Sequence, residues 1–182
     1  MKNFYIALIH HPVTRNGNTI TSSIANLDIH DISRVSLTYG LGGYFIVHPD
    51  EKMRHIANSL VKHWVEGAGK EYNADRFQAV KSLKIVSSLE EVTNEIIATE
   101  KKKPLIAGTT ARKKENSVSV KELKKHKNNP ILLLFGTAGG IEDNFLNSLD
   151  FILEPIGVEG GYNHLSVRSA VSIFIDRLYS AE

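Results

Sequence analysis

The 182 residues are 42% hydrophobic and 23% charged, with a net charge of +2 and no cysteine. That balance excludes a disordered or fibrous chain. It also excludes a disulfide framework, a thiolate metal site and a cysteine nucleophile, which fits a reducing compartment and makes the cytoplasm the default expectation. The length predicts one domain over 1–182, and no apolar run reaches the roughly 18 residues of a membrane helix.

In chain order, FYIALIH (4–10) reads as a first strand; one preceding lysine and no small-residue cleavage site argue against a signal peptide. The polar cluster NLDIHDISR follows. A helix from about Asp31 onward places His30 and Arg34 at i and i+4, and Asp31 and Arg34 at i and i+3, with Asp28 or Asp31 as cap. YFIVHP (44–49) is the second strand. In DEKMRHIANSLVKHWVEG, Asp50 caps a helix whose Met53, Ile56, Ala57, Leu60, Val61 and Trp64 share a face. KIVSS (84–88) is a strand, and Ser88 with Glu91 forms a capping box for the helix in SLEEVTNEIIATEKK. PLIAG (104–108), PILLLFG (130–136) and DFILEP (150–155) complete the strands. A last helix carries Val167, Ala170, Val171, Phe174, Ile175 and Leu178 on one stripe. Strands alternating with helices predict an α/β fold, a mainly parallel sheet with helices on both faces.

In such sheets ligands bind beyond the carboxyl ends of the strands. Three loops there concentrate glycine, threonine, serine and asparagine: TTARKK after PLIAG, TAGG after PILLLFG, and IGVEGGYNHLSVRS after DFILEP. Gly136, Gly139 and Gly140 lack the dinucleotide spacing, and no lysine follows Gly140 as a P-loop requires. What remains is a ligand met by main-chain groups and by apolar walls from Leu133, Leu134, Phe135, Leu153 and Ile156, a description that suits a nucleoside without phosphates. Residues 101–127 hold ten lysines and arginines against two glutamates, a net +8, and leave −6 for the rest of the chain. A lysine run is more often a solvated helix face, but this one also fits a phosphate-binding patch for nucleic acid. His10, His11, His30 and Asp31 have no tight ligand spacing, and no metal is expected.

PLIAGTTAR, LLLFGTAGG, DFILEPIG and YNHLSVRSAVSIFIDRL, in that order, resemble the successive cofactor-loop motifs of the SPOUT superfamily of S-adenosylmethionine-dependent RNA methyltransferases. The bacterial proteins related to the tRNA guanine-N1 methyltransferases are the nearest group, and TSSIANLDIHDISRVSLTYGLGGYFIVHP resembles their first motif. The resemblance implies a carboxyl-terminal deep trefoil knot, a homodimer in which the partner subunit completes the target site, S-adenosylmethionine as cofactor, and tRNA or rRNA as substrate. It assigns cofactor contacts to Thr109, Thr110, Leu134, Phe135, Gly136, Gly139, Leu153, Pro155, Ile156, Asn163, Leu165 and Ser166. Arg34 matches the arginine of the first motif and would orient substrate and assist deprotonation; Asn26 is a looser match. Asp28, His30 and Asp31 are the conventional base candidates. At Ala138 and Gly139 the sequence departs from the group in offering a bare wall. Asn163 or His164 could close the last helix or face the cofactor, and Arg168 could bind the cofactor carboxylate, an RNA phosphate or an acid of the fold. Three functions stay open: an RNA methyltransferase, a noncatalytic RNA-binding or regulatory protein of the same fold, and a nucleotide-binding α/β protein of another kind.

Overall fold

The computed structural model describes residues 2–158 and 161–180. The chain runs β1 (Phe4–Ile9), β2 (Val13–Arg15), β3 (Asn18–Ile20), α1 (Asn26–Thr38), β4 (Gly43–Val47), α2 (Glu51–Val65), α3 (Gly69–Tyr72) and α4 (Ala74–Val80). It continues through β5 (Leu83–Val86), α5 (Leu89–Glu100), β6 (Leu105–Gly108), β7 (Ser117–Val118), α6 (Val120–Lys124), β8 (Ile131–Gly136), α7 (Asp143–Asn147), β9 (Phe151–Leu153) and α8 (Val167–Ser180).

Seven strands form one sheet in the order β5-β4-β1-β8-β6-β9-β7, and every pairing in it is parallel. A parallel sheet must be covered on both faces, which is why its central strands are apolar without alternation. Phe4, Ile6 and Leu8 of β1 and Ile131, Leu133 and Phe135 of β8 face α1, α2, α4, α6 and α8. Tyr5, Ala7 and Ile9, with Leu132 and Leu134, face α5 and α7 on the other side. The stripe expected on α8 is the buried one: Val171, Phe174, Ile175 and Leu178 are in the core, with Val167 and Ala170 packed at its margin. On α2 the expected stripe is covered only in part. Ala57 is buried, but Ile56 is 55% exposed and Leu60 37%, because the helix lies over the β4–β5 margin of the sheet.

Capping chemistry sets several helix starts. Asp50 accepts from the amide of Lys52 at 2.7 Å, and Ser88 accepts from that of Glu91 at 3.3 Å. Glu91 reaches back to the amide of Ser87 rather than that of Ser88, so the box closes one residue early. Two expected caps differ. Helix α1 begins at Asn26, five residues before the expected start, with Ala25 at the cap position and no side-chain cap; the carboxylates of Asp28 and Asp31 are taken by Arg168 instead. At α8 the cap is Ser166, whose hydroxyl accepts from the amide of Ser169 at 3.2 Å, and neither Asn163 nor His164 fills that place.

Leu133 is fully buried between β1 and β6. Leu133→Ala is expected to lower the unfolding free energy by about 2–5 kcal/mol in urea titration, as truncations at rigid core sites do.

Candidate active site

A cleft of about 1340 Å³ opens beyond the carboxyl ends of β1, β6, β8 and β9. Its walls are the three loops of the sequence reading and a fourth element, the β2–β3 hairpin. Asn16 and Gly17 turn this hairpin with φ of 50° and 78°, the two positive values a two-residue type I′ turn demands. Thr14, Arg15, Asn16, Gly17 and Thr19 line the cleft, and none was singled out in the sequence, although Asn-Gly between short β-type segments is the strongest local hairpin signal.

The hairpin clasps the turn after β8. The amide of Thr14 donates to the carbonyl of Gly140 at 2.9 Å, and the amide of Gly139 donates to that of Thr14 at 2.7 Å. A Cβ on Gly139 would stand 2.6 Å from the Thr14 carbonyl oxygen, so the bare wall at this position is imposed by the hairpin's backbone. Ala138 and Gly140 adopt φ of 53° and 99°, turning the chain sharply back toward Ile141.

Below this clasp lies a half-buried polar chain that ends on the buried His10. The hydroxyl of Thr137 bonds the carbonyl of Ile9 at 3.3 Å, Ser22 Oγ bonds Thr137 Oγ1, and His10 Nδ1 lies 2.9 Å from Ser22 Oγ. If Thr137 donates to Ile9, Ser22 donates to Thr137 and His10 Nδ1–H donates to Ser22, so every hydrogen is used. The one orphan is then an acceptor, His10 Nε2, which has no partner among the described residues. His48 is fixed in the opposite tautomer: its Nδ1 accepts from the amide of Asp50 at 3.1 Å and its Nε2 donates to the carbonyl of Ser22 at 3.0 Å. Burial, and then the adjacent His48, push the pKa of His10 from 6.5 to about 4.

Of the expected cofactor contacts, Thr109, Thr110, Phe135, Gly136, Gly139, Ile156, Asn163, Leu165 and Ser166 line the cleft. Leu134, Leu153 and Pro155 do not. Leu134 is buried in the sheet and acts through its carbonyl, which accepts from the amide and the hydroxyl of Thr109 at 3.0 and 2.9 Å. Leu153 is core, and Glu159 and Gly160 of the third loop lie outside the described residues. Asn163 Nδ2 donates to the carbonyl of Ala111 at 2.9 Å and ties the third loop to the first. Arg112 and Lys114 both pair with Asp143 at 3.0 Å, so the basic residues at the cleft rim are already neutralised in part.

The candidates on α1 separate. Asp28 lines the cleft and pairs with Arg168 at 2.8 Å, and Arg168 also reaches Asp31 at 3.3 Å, so the arginine is engaged within the fold. Arg34 is 65% exposed and lines a second groove of about 460 Å³ between α1 and α8, which shares Ser166 and Arg168 with the cleft. His30 lies away from both cavities, edge-on to Trp64 at 5.3 Å. Burial, followed by the positive charge of Arg76, lowers its pKa. Asn26 is exposed at the start of α1 and lines neither cavity.

An open parallel sheet with a cleft beyond its carboxyl ends, walled by glycine-rich loops, places the candidate ligand site where α/β proteins bind small molecules. Residues 3–180 match a family model described as SAM-dependent RNA methyltransferase, and the chain belongs to that family. It is 42% identical over 180 residues to the tRNA (guanine-N(1)-)-methyltransferase of Oleidesulfovibrio alaskensis, and 39% identical over 178 residues to the protein of that name in Nitratidesulfovibrio vulgaris. Each alignment covers 97% of this chain but 42% of the relative, so the chain spans less than half the length of these relatives. The fold is similar to that of the Aquifex aeolicus TrmH/SpoU tRNA modifying enzyme, with a TM-score of 0.59 at 15% identity over 98% of this chain and 74% of that one.

His10 gives the site a pH signature. Between about pH 6.5 and 4 the unfolded chain takes up a proton that the folded chain refuses, so stability falls as pH falls through that window. The loss expected from His10 is up to about 3 kcal/mol. Urea denaturation at pH 7 and pH 5 reads about 2 kcal/mol of it, and His10→Gln should flatten the difference; an unchanged slope in that variant would remove His10 as its source.

Proposed function

We propose that this chain is an S-adenosylmethionine-dependent RNA methyltransferase whose cofactor lies in the cleft and whose acceptor is tRNA or rRNA. The observation that carries the proposal is the convergence of Thr109–Arg112, Gly136–Gly140 and Asn163–Arg168 on one cavity, in a chain of this family. The donor set suits the group. Phe135, Ile156 and Phe174 offer apolar faces for an adenine. The glycine turn brings main-chain groups to the cavity, and no lysine lines it among the described residues. When bound, S-adenosylmethionine supplies an already activated methyl group. The chain's residues are left with two tasks: placing the acceptor in line and holding or removing its proton.

Arg34 is assigned to acceptor orientation, supported by its groove sharing a wall with the cleft. Asp28 is the carboxylate at the cleft itself; its pairing with Arg168 favours a structural role in joining α1 to α8. The homodimer is supported by Leu27 and Leu37 of α1 and Tyr179 of α8, left 57%, 49% and 63% exposed beside the groove's helices, where a partner subunit could cover them and complete the acceptor site. The trefoil knot is supported by β9 entering between β6 and β7, two strands that precede it in the chain. A single SPOUT-like domain in the cytoplasm completes the reading, in keeping with the cysteine-free composition. A noncatalytic RNA-binding protein is the second reading, favoured only by the engagement of Asp28 with Arg168.

Calorimetric titration should detect S-adenosylmethionine and S-adenosylhomocysteine but not ATP or NAD, and labelled methyl should pass to RNA. Cofactor binding without transfer to any RNA would shift the assignment to the noncatalytic reading. Gly139→Ala, by pressing on the Thr14 carbonyl, is expected to weaken cofactor binding at least tenfold in the same titration. Arg34→Ala should instead leave cofactor affinity within about twofold while transfer falls at least a hundredfold; equal losses of both would place Arg34 in cofactor binding.

A further inference from the structure

The fold divides the basic segment in two. Arg112 lines the cleft with Asp143, which pairs with both Arg112 and Lys114. Lys101, Lys102 and Lys103 follow α5 and immediately precede β6, while Lys125 and Lys127 precede β8, and Lys2 precedes β1. Because β1, β8 and β6 are parallel neighbours, the segments that enter them open on one end of the sheet, the amino end, opposite the cleft. Hydrogen bonds draw these segments together. Lys102 Nζ donates to the carbonyl of Asn128 at 3.3 Å, and Asn3 Nδ2 donates to the carbonyls of Lys127 and, at 3.2 Å, Asn129.

All six lysines are exposed. Of the acids close to them, Glu122 pairs with Lys125, whereas Glu100 accepts from the hydroxyl of Tyr5 and Asp150 from the amide of Ile106 at 2.8 Å, neutral donors that orient these two carboxylates and leave their charge in place. Lys2, Lys102, Lys103 and Lys127 form no ion pair among the described residues. A cluster of exposed lysines without ion-pair partners therefore lies at the end of the sheet away from the cleft. The length of β8, six residues at roughly 3.3 Å each, separates the two by about 20 Å.

We propose that Lys2, Lys101, Lys102, Lys103 and Lys127 form a second docking surface that grips the phosphate backbone of the substrate RNA remote from the modified nucleotide. The inference rests on the methyltransferase reading and extends it. Ammonium groups on flexible stems are point charges without the fork geometry that reads base edges, so such a surface holds backbone whatever the sequence. It positions the RNA body while the cleft selects the nucleotide.

The test uses unfractionated bacterial tRNA as probe and compares the full chain with the triple variant Lys102→Gln, Lys103→Gln, Lys127→Gln. Fluorescence anisotropy over roughly 50 to 200 mM salt reads the affinity and its salt dependence. The variant is expected to bind tRNA at least tenfold more weakly at the low-salt end, with a log–log slope shallower by about 2 to 3, near one per lost phosphate contact. Its affinity for S-adenosylmethionine should match the wild type, which also reports an intact fold. In methyl transfer, KM for RNA should rise while kcat holds. A variant that binds tRNA within twofold of the wild type, with the same slope, overturns the second surface and leaves the methyltransferase reading standing. A wild type that binds the cofactor but no tRNA also overturns it; one that binds neither overturns both.

Discussion

The pairing of β1 with β8 is the constraint on which the rest of the molecule depends. Six residues of the amino-terminal strand, Phe4 to Ile9, lie in register with Ile131 to Gly136, so chain segments more than a hundred residues apart leave the sheet side by side. From β1 emerge His10 and the hairpin; from β8 emerges the glycine turn. Their adjacency is what lets Thr14 clasp Gly139 and Gly140 and lets Ser22 join His10 to Thr137. A strand pairing of this sequence separation pays a loop-closure cost before it is rewarded, and eleven fully buried or nearly buried apolar side chains across the two strands offset it.

The same pairing explains what could and could not be read from the chain. FYIALI and ILLLFG are visible as strands because burial on both faces removes alternation, and that composition is a local property. The three loops are visible because glycine and threonine cluster where strands end. The hairpin carried a local signal in Asn16-Gly17, but its strands are three residues each and one is mostly exposed, too little for a hydrophobic period to register. β7 is two residues long and exists only through its pairing with β9, a partner more than thirty residues away. The stripe on α2 was right as a pattern and incomplete as burial, since periodicity says which face is apolar and not how far a sheet extends beneath it.

At the site, residue types were more legible than their connections. Arg168 could have served three partners, and the approach of α1 to α8 chose between them: Asp28 and Asp31, one turn apart, flank the guanidinium. That choice redirected both carboxylates from capping and left the start of α1 to Ala25. Nothing in NLDIHDISR encodes this, because the arginine is 140 positions from Asp28. His30 parts company with Arg34 for a similar reason. The two are neighbours on one helix, yet α2 and α4 cover the histidine with Trp64 and Arg76 while the arginine stays at the rim of a groove.

Charge follows topology in the same way. A parallel sheet has two unlike ends: carboxyl ends release loops that wrap ligands, and amino ends receive the chain from helices. The basic residues clustered between 101 and 127 are sorted by the intervening strand and loop, those near residue 112 to the ligand end and those entering β6 and β8 to the other. Asp143, held at the start of α7 beside Glu142 as cap, pairs with both Arg112 and Lys114 of the first group, whereas Lys102, Lys103 and Lys127 of the second form no ion pair among the described residues. Were the amino-end lysines to hold a polyanion and the cleft a nucleoside, long-range attraction would be separated in space from close-range fit, and the two could be altered independently, the first through those lysines and the second through the clasp between Thr14 and Gly139.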